Sequence, residues 1–242
     1  MFRAYIEDCV RPYIDHFTVC YLDDILIYLT NEKEDEDQVR KVLQCLPELE
    51  LYCKAEKCQF QVREVVFLGY VIILYRISME SDRISTIEDW PTMESVRDVQ
   101  VLLGFANFYT LFIRKYAKVT SPISNMLKTH GLQRWEWARD AELAFRRLKM
   151  AFTEAPILKH FNPQKAIILQ TDASRFAIAN ILIQYDGFGF LHAVNFNSWK
   201  CSASEQNYHT YSQRRFAIVE TMKQWRRYLE GANHYVLIQC DH

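Results

Sequence analysis

Two adjacent aspartates, Asp23 and Asp24, lie between two strongly apolar runs in the segment VCYLDDILIY, residues 19–28. Adjacent carboxylates repel each other, and taking them out of water costs free energy unless a cation or hydrogen-bond donors compensate them. A fold that buries the flanking runs therefore has to leave the pair at the end of a hairpin. One interpretation is a polar turn, although two-residue hairpin turns favour Asn-Gly or Asp-Gly. The other is a metal site at the tip of a buried hairpin.

The bulk composition is that of a globular protein. Of the 242 residues, 50% are hydrophobic and 14% are aromatic, and with only six glycines and six prolines the chain is not of a disordered class. The formal net charge of −1 does not indicate a polyanion partner, so local clusters have to make that case. The sequence shows no signal peptide and no apolar run that could span a membrane, and we expect an intracellular protein, cytoplasmic or nuclear, with no membrane partner.

Seven irregularly spaced cysteines form no CxxC pair. We therefore expect reduced thiols, as in an intracellular protein. Cys53 and Cys58 resemble half of a zinc site, but no second pair follows them, and the sequence gives zinc little support.

Apolar periodicity predicts strands and helices in alternation. Strand pairs are predicted within residues 17–29 and 58–78, with a helix between them that ends at Pro47. A helix begins at Ser95, which forms a capping box with Asp98. The remaining predicted elements are a helix over 141–152, three strands in AIILQTDAS, FAIANILIQ and FLHAVNFN, a helix over 206–229, and a last strand in YVLIQCDH.

Ordered sequence blocks along the whole chain resemble the reverse transcriptase–ribonuclease H region of gypsy-type LTR retrotransposon polyproteins. YLDDILIY resembles the polymerase palm motif, FLGYVI the primer-grip strands, and WPTMESVRDVQVLLGFANFY the thumb helices, while QTDAS and QWRRYLEGANHYVLIQCDH resemble the ribonuclease H domain. The resemblance implies an α+β fold. Its parts are a partial palm over 1–78, a helical thumb-like region over 79–130, a tether over 131–163, and a ribonuclease H-like domain over 164–242 that stops after its fourth strand.

The resemblance implies that the palm aspartates hold magnesium, or manganese, at the primer end. Asp23 and Asp24 would then be catalytic metal ligands, because Mg²⁺ prefers hard oxygen donors. Contacts to an RNA–DNA hybrid or to DNA would come from Tyr21, Phe67, Leu68, Gly69 and Lys115. A further palm aspartate of the family would lie before residue 1, so we expect no polymerase activity from this chain alone.

The ribonuclease H site departs from the family pattern in another way. Asp172 and Asp241 match two of the family's catalytic metal ligands, but Arg214 stands at the position of the expected glutamate, and a fourth acidic ligand would lie beyond His242. Helical periodicity places Arg214 on an apolar stripe together with Tyr211, Ile218, Met222, Trp225 and Leu229. One hypothesis is that Arg214 acts as an internal counterion for Asp172 and Asp241; the alternative is that it extends to the surface. In either case we expect magnesium binding to be weak or absent, and ribonuclease activity to fail.

Basic residues with interspersed aromatic residues provide the remaining indication of a nucleic-acid partner. They are Lys54, Lys57, Arg63, Arg97, Arg114, Lys115, Lys118 and Lys128, with Phe105, Phe108 and Tyr109. The same pattern is also explained if the basic residues lie on a solvent-exposed helix face and the aromatic residues lie in the core. Three interpretations stay open: a degenerate copy without catalysis, a co-opted nucleic-acid- or protein-binding module, and part of a longer polyprotein. The sequence indicates no oligomeric state.

Overall fold

The computed structural model describes residues 2–28, 35–48, 50–128 and 135–240. The chain divides into two compact units, residues 1–67 and 68–242. Both units mix helices with sheets, which confirms the predicted α+β class. Among the described residues, no helix is both long enough and apolar enough to cross a membrane.

The first unit is a hairpin packed against two helices. Its elements are α1 (Phe2–Val10), β1 (Thr18–Tyr21), β2 (Asp24–Ile27), α2 (Asp35–Glu48) and β3 (Glu64–Phe67). The core joins Val10 of α1 to Val42 and Leu46 of α2, and the inward residues of the hairpin pack against it. Pro47 lies inside the last turn of α2, so the helix ends one residue later than predicted.

A disulfide joins Cys9 of α1 to Cys45 of α2, with their Cα atoms 5.9 Å apart. The expectation of reduced thiols is therefore wrong for this pair. Sequence spacing gave no sign of the bond, because the packing of α1 on α2 brings together two residues that lie 36 positions apart.

The second unit begins with a small antiparallel sheet and four helices. Strands β4 (Tyr70–Ile73), β5 (Arg76–Met79) and β6 (Leu158–Lys159) are consecutive neighbours. The helices are α3 (Ser81–Glu88), α4 (Val96–Phe108), α5 (Tyr116–Asn125) and α6 (Arg139–Thr153). The predicted capping box is confirmed: Asp98 donates its N–H to Ser95 Oγ at 3.2 Å, and Asp98 Oδ2 accepts the Ser95 N–H at 2.8 Å.

The C-terminal part of this unit is a four-stranded sheet with helices on both faces. Its elements are β7 (Ile167–Ala173), β8 (Ala177–Tyr185), β9 (Leu191–Lys200), α7 (Thr210–Gln224), α8 (Arg226–Leu229) and β10 (Val236–Cys240). The strand order is β10-β7-β8-β9, with β10 parallel to β7 and the other pairs antiparallel. The four predicted strands are confirmed, whereas the single predicted helix is interrupted at the buried Trp225.

Side-chain alternation assigns the two faces of this sheet. Leu169 and Leu182 pack with Trp225 under α7 and α8, whereas Ile168 and Ile181 belong to the large core formed with α4, α5 and α6. Successive residues of a strand point to opposite faces. Each polar residue of β7 and β8 can therefore be assigned to one face.

Candidate functional site

The aspartate pair lies at the tip of the β1–β2 hairpin. Leu22 and Asp23 form the two-residue loop, and Tyr21 pairs with Asp24 as the last rung. All four residues are exposed, and no ion pair joins either aspartate to another described residue. The turn is made by Leu22, which has a φ of 57°. A left-handed φ costs a non-glycine residue about 1–2 kcal/mol. The backbone turn that exposes the two carboxylates is therefore strained.

The predicted primer-grip residues adopt an unusual backbone conformation. Phe67 ends β3, and Leu68 and Gly69 follow it with φ angles of 56° and 76°. Gly69 is buried, and a Cβ atom there would collide with the hydroxyl oxygen of Tyr109. The glycine is therefore required by packing within the second unit, and its nucleic-acid role stays a prediction.

The aromatic residues of the predicted thumb-like region are mainly a packed cluster. Tyr109 is only 3% exposed, and Phe105 packs against the same core. Phe108 stacks on Tyr70 with ring centroids 5.1 Å apart, and the Tyr70 hydroxyl donates to the Phe108 carbonyl at 2.7 Å. Burial raises the pKa of Tyr70. The core interpretation is thus correct for Phe105 and Tyr109, and only Phe108 keeps a substantial exposed surface.

Asp172 is paired with a lysine. Its Oδ2 lies 2.6 Å from the Nζ of Lys115, and both side chains are about one-third exposed. Asp172 pairs in register with Ala179, so it shares the sheet face of Ile168 and Ile181, the face toward α5. The counterion hypothesis that assigned Arg214 to Asp172 is therefore wrong, because Lys115 holds this carboxylate from the opposite side.

Arg214 is half-buried near the start of α7 and forms no ion pair with any other described residue. The predicted apolar stripe is also wrong at Tyr211 and Met222, which are exposed. The buried positions of α7 are Ala217 and Thr221, one turn apart. Asp241 lies outside the described residues, and its pairing with Arg214 stays a prediction.

The described residues bring together no group of three or more acidic, histidine or cysteine side chains that could hold a metal ion. Two exposed carboxylates at the hairpin tip have the donor chemistry for part of a magnesium site. Asp172 does not fit a metal, since an ammonium group already occupies the space beside its carboxylate.

Sequence reasoning missed Asp186, which organises the turn between β8 and β9. Its Oδ1 accepts the N–H groups of Phe190 and Phe188 at 2.9 and 2.8 Å, and its Oδ2 lies 2.7 Å from His192 Nε2 and 3.3 Å from Lys159 Nζ. These contacts, the Phe190 N–H first among them, hold the pKa of Asp186 well below its usual range. An Asp followed by Gly in YDGFG was the available signal, because such aspartates bond the backbone two residues on.

The chain resembles known proteins along its whole length. Residues 1–72 match the family model "Reverse transcriptase (RNA-dependent DNA polymerase)", and residues 137–237 match "RNase H-like domain found in reverse transcriptase". The Tf2-3 and Tf2-7 transposon polyproteins of Schizosaccharomyces pombe are each 31% identical over 241 residues. That match spans the whole chain but only 18% of each polyprotein.

Two solved structures share the fold. One is a foamy viral protease-reverse transcriptase dRH in complex with ds DNA, with a TM-score of 0.76 and 18% identity over 99% of this chain and 41% of that chain. The other is a foamy viral protease-reverse transcriptase in complex with RNA/DNA hybrid, with a TM-score of 0.74 and 17% identity over 98% of this chain and 31% of that chain.

Proposed function

We propose that the chain is a nucleic-acid-binding part of a gypsy-type LTR retrotransposon reverse transcriptase. The support is that it matches a reverse transcriptase family model followed by an RNase H-like family model, and that it is similar over its length to transposon polyproteins. In this proposal the ligand is an RNA–DNA hybrid or duplex DNA. The chain alone neither extends a primer nor cleaves the hybrid. The observation that carries the proposal is the YLDD hairpin, which holds two adjacent carboxylates in solvent at a strained two-residue turn.

Asp23 and Asp24 would hold the magnesium in the palm. Bound there, magnesium stabilises the attacking and leaving oxygens of phosphoryl transfer. The chain's own contribution is to fix the two carboxylates by pairing Tyr21 with Asp24 and by packing the hairpin on the core of the first unit. Two carboxylates are fewer than such a site uses, which is the basis for proposing no synthesis by this chain alone.

The ribonuclease H-like domain would support binding without hydrolysis. Asp172 is neutralised by Lys115, and a guanidinium group stands at residue 214 where the family uses a carboxylate. A cation in place of a carboxylate repels a divalent metal, and for unit charges about 4 Å apart near a protein surface this term is on the order of 4 kcal/mol. We therefore assign no metal-dependent step to this domain.

Binding and catalysis are tested on the same purified chain. Fluorescence anisotropy with a labelled RNA–DNA hybrid should show binding that weakens steeply as salt rises from about 50 to 200 mM, because phosphate contacts release counterions. With Mg²⁺ or Mn²⁺, neither primer extension nor hybrid cleavage should exceed the buffer control.

Two results would contradict the proposal. Absence of binding to the hybrid and to duplex DNA at low salt would remove the proposed ligand. Metal-dependent cleavage of the hybrid that disappears in Asp172→Asn would show that this domain is an active nuclease. The Arg214→Glu variant should stay inactive, because the ammonium of Lys115 still neutralises Asp172.

A second candidate function is a protein-binding module, and exposed apolar side chains in the second unit favour it. Leu74 and Tyr75 form the tip of the β4–β5 hairpin, and Phe188 and Phe190 form the β8–β9 turn, where Phe188 is 89% exposed. Exposed apolar groups of this size can mark contact surfaces. Loss of hybrid binding together with a defined protein partner would favour this candidate.

A further inference from the structure

Helix α5 contacts strands β8 and β9 of the ribonuclease H-like sheet, and Lys115, the residue before α5, contacts β7. Asp172, Ala179 and Ser198 lie in one row across β7, β8 and β9. Ser198 Oγ accepts the N–H of Ala117 in the first turn of α5 at 2.8 Å, and Asp172 receives the ammonium of Lys115 just before that helix. The middle residue is an alanine, so no bulky side chain stands between the two polar contacts.

The backbone of Lys115 is strained where it makes this contact. Its φ is 57°, a left-handed value that is unfavourable for a residue with a side chain. The following residues, Tyr116 and Thr120, are buried. At the other end of the helix, Lys200 Nζ donates to Asn125 Oδ1 at 2.6 Å. Helix α5 is thus held to β9 at both ends, and the Lys115–Asp172 pair is the contact that extends to β7.

A cavity of about 290 Å³ opens beside the ion pair. Arg114 and Lys115 line one side, and the amides of Gln170 and Gln239, which are joined by a 2.9 Å hydrogen bond, line another. Among the described residues that line the cavity, the two cationic groups outnumber the single carboxylate of Asp172. A divalent cation that enters this space meets two positive side chains, so the local charge opposes a metal at Asp172.

From this geometry we infer that Lys115 is a built-in cation that takes the place of a metal at Asp172 and makes Asp172 a positioning residue for α5. The carboxylate then holds the thumb-like helix on the ribonuclease H-like sheet. Lys115 is in consequence engaged within the chain and is not a free contact for a phosphate. The inference concerns the protein without nucleic acid, so it is tested independently of hybrid binding.

The positioning role is tested by hydrogen exchange of the first turn of α5, residues 116–120. Lys115→Met and Asp172→Asn should each raise the exchange rate there about two- to fivefold, which is the range expected for a partly exposed ion pair. The double variant should add little to either single variant, because both remove the same interaction. Lys115→Arg should preserve protection. Lys118→Met, an exposed lysine one turn along α5, is the matched control and should leave the rate unchanged.

The cation replacement is tested with Mn²⁺ as a paramagnetic probe of the Thr171 and Ala173 amide signals. Removing the competing positive charge in Lys115→Met should lower the Mn²⁺ concentration that broadens these signals at least about tenfold relative to wild type. The double variant Lys115→Met/Asp172→Asn should lose this effect.

Either of two results would overturn the inference. One is equal broadening in wild type and Lys115→Met. The other is unchanged exchange of residues 116–120 in both single variants, which would show that the pair does not hold the helix. If hybrid binding fails while both expected results are obtained, the proposed function is refuted and this inference stands.

Discussion

Replacement of Asn180 by leucine should stabilise the second unit. Asn180 lies in the middle of β8 and is only 1% exposed. Neither its side-chain nitrogen nor its oxygen has a hydrogen-bond partner among the described residues. Ile178 and Leu182, two residues away on either side and on the same face, pack in apolar clusters with Ala217 and Trp225. The amide therefore lies beneath α7 between two apolar clusters, in a row with Thr171 of β7 and Asn197 of β9.

The magnitude follows from the two unpaired polar groups. A buried donor or acceptor without a partner costs about 1–3 kcal/mol. Two such groups together cost about 2–6 kcal/mol. Leucine has the branching of asparagine but a larger volume, and overpacking of a core costs about 1–3 kcal/mol. We expect the free energy of unfolding to rise by about 1–3 kcal/mol. For a unit of this size, each kcal/mol raises the midpoint of thermal unfolding by about 2–4 °C.

Urea unfolding followed by tryptophan fluorescence measures this effect, because all five tryptophans of the chain lie between residues 90 and 225, within the second unit. Gln184→Leu is the matched control on the same strand. Gln184 is also buried, but its Oε1 accepts the Asn162 N–H at 2.9 Å and its Nε2 donates to the Asn162 carbonyl at 2.9 Å. In that variant the free energy of unfolding should fall by about 1–3 kcal/mol, since the N–H and the carbonyl of Asn162 lose their hydrogen-bond partner.

The two substitutions on one strand should therefore change the free energy of unfolding in opposite directions. If Asn180→Leu leaves the urea midpoint unchanged or lowers it, the amide is satisfied in the folded protein, as it would be by an internal water. The reasoning from unpaired groups would then be refuted.

Three further predictions concern backbone conformation, helix capping and pH. Gly69→Ala should lower the free energy of unfolding by more than about 1 kcal/mol, because it combines a φ of 76° with a collision with Tyr109; equal urea midpoints would contradict this. Ser95→Ala should cost about 1 kcal/mol through loss of the α4 cap, measured in the same way. Because the pKa of Asp186 is lowered in the folded state, its stabilisation is complete above about pH 4 and is lost as pH falls below it. Acid unfolding of Asp186→Asn should therefore depend less on pH than that of wild type, and parallel pH profiles would refute this.

Local patterns of the sequence predicted most of the secondary structure. The capping box at Ser95 and Asp98 depends on residues three positions apart, and the structure contains both of its hydrogen bonds. The hairpin at Asp23 and Asp24 likewise follows from one short segment whose apolar flanks pair with each other. Such features are fixed by neighbours in the chain, so a single sequence is sufficient to find them.

Contacts between distant residues were not predictable in this way. Lys115 and Asp172 lie 57 positions apart, and nothing in their local pattern selects one sheet face or one cation over another. The assignment of Arg214 failed for the same reason, since helical periodicity predicts which residues share a face of the helix but not which residues pack against that face. Tertiary packing also determines the helix break at Trp225, the disulfide partner of Cys9, and the burial of Asn180 without a hydrogen-bond partner among the described residues.

The bond between Cys9 and Cys45 has a consequence for how the β1–β2 hairpin is handled in the laboratory. The disulfide closes residues 9–45 into a covalent ring that contains the Asp23–Asp24 turn. A protease that cuts this ring once leaves two fragments tethered through sulfur, and they migrate as one band until a reductant is added. Reduction also removes a cross-link between residues 36 positions apart, and the loss of this constraint on the unfolded chain lowers the free energy of unfolding of the first unit by about 4 kcal/mol. A sample that looks intact without reductant can therefore already have lost the continuity of its aspartate turn.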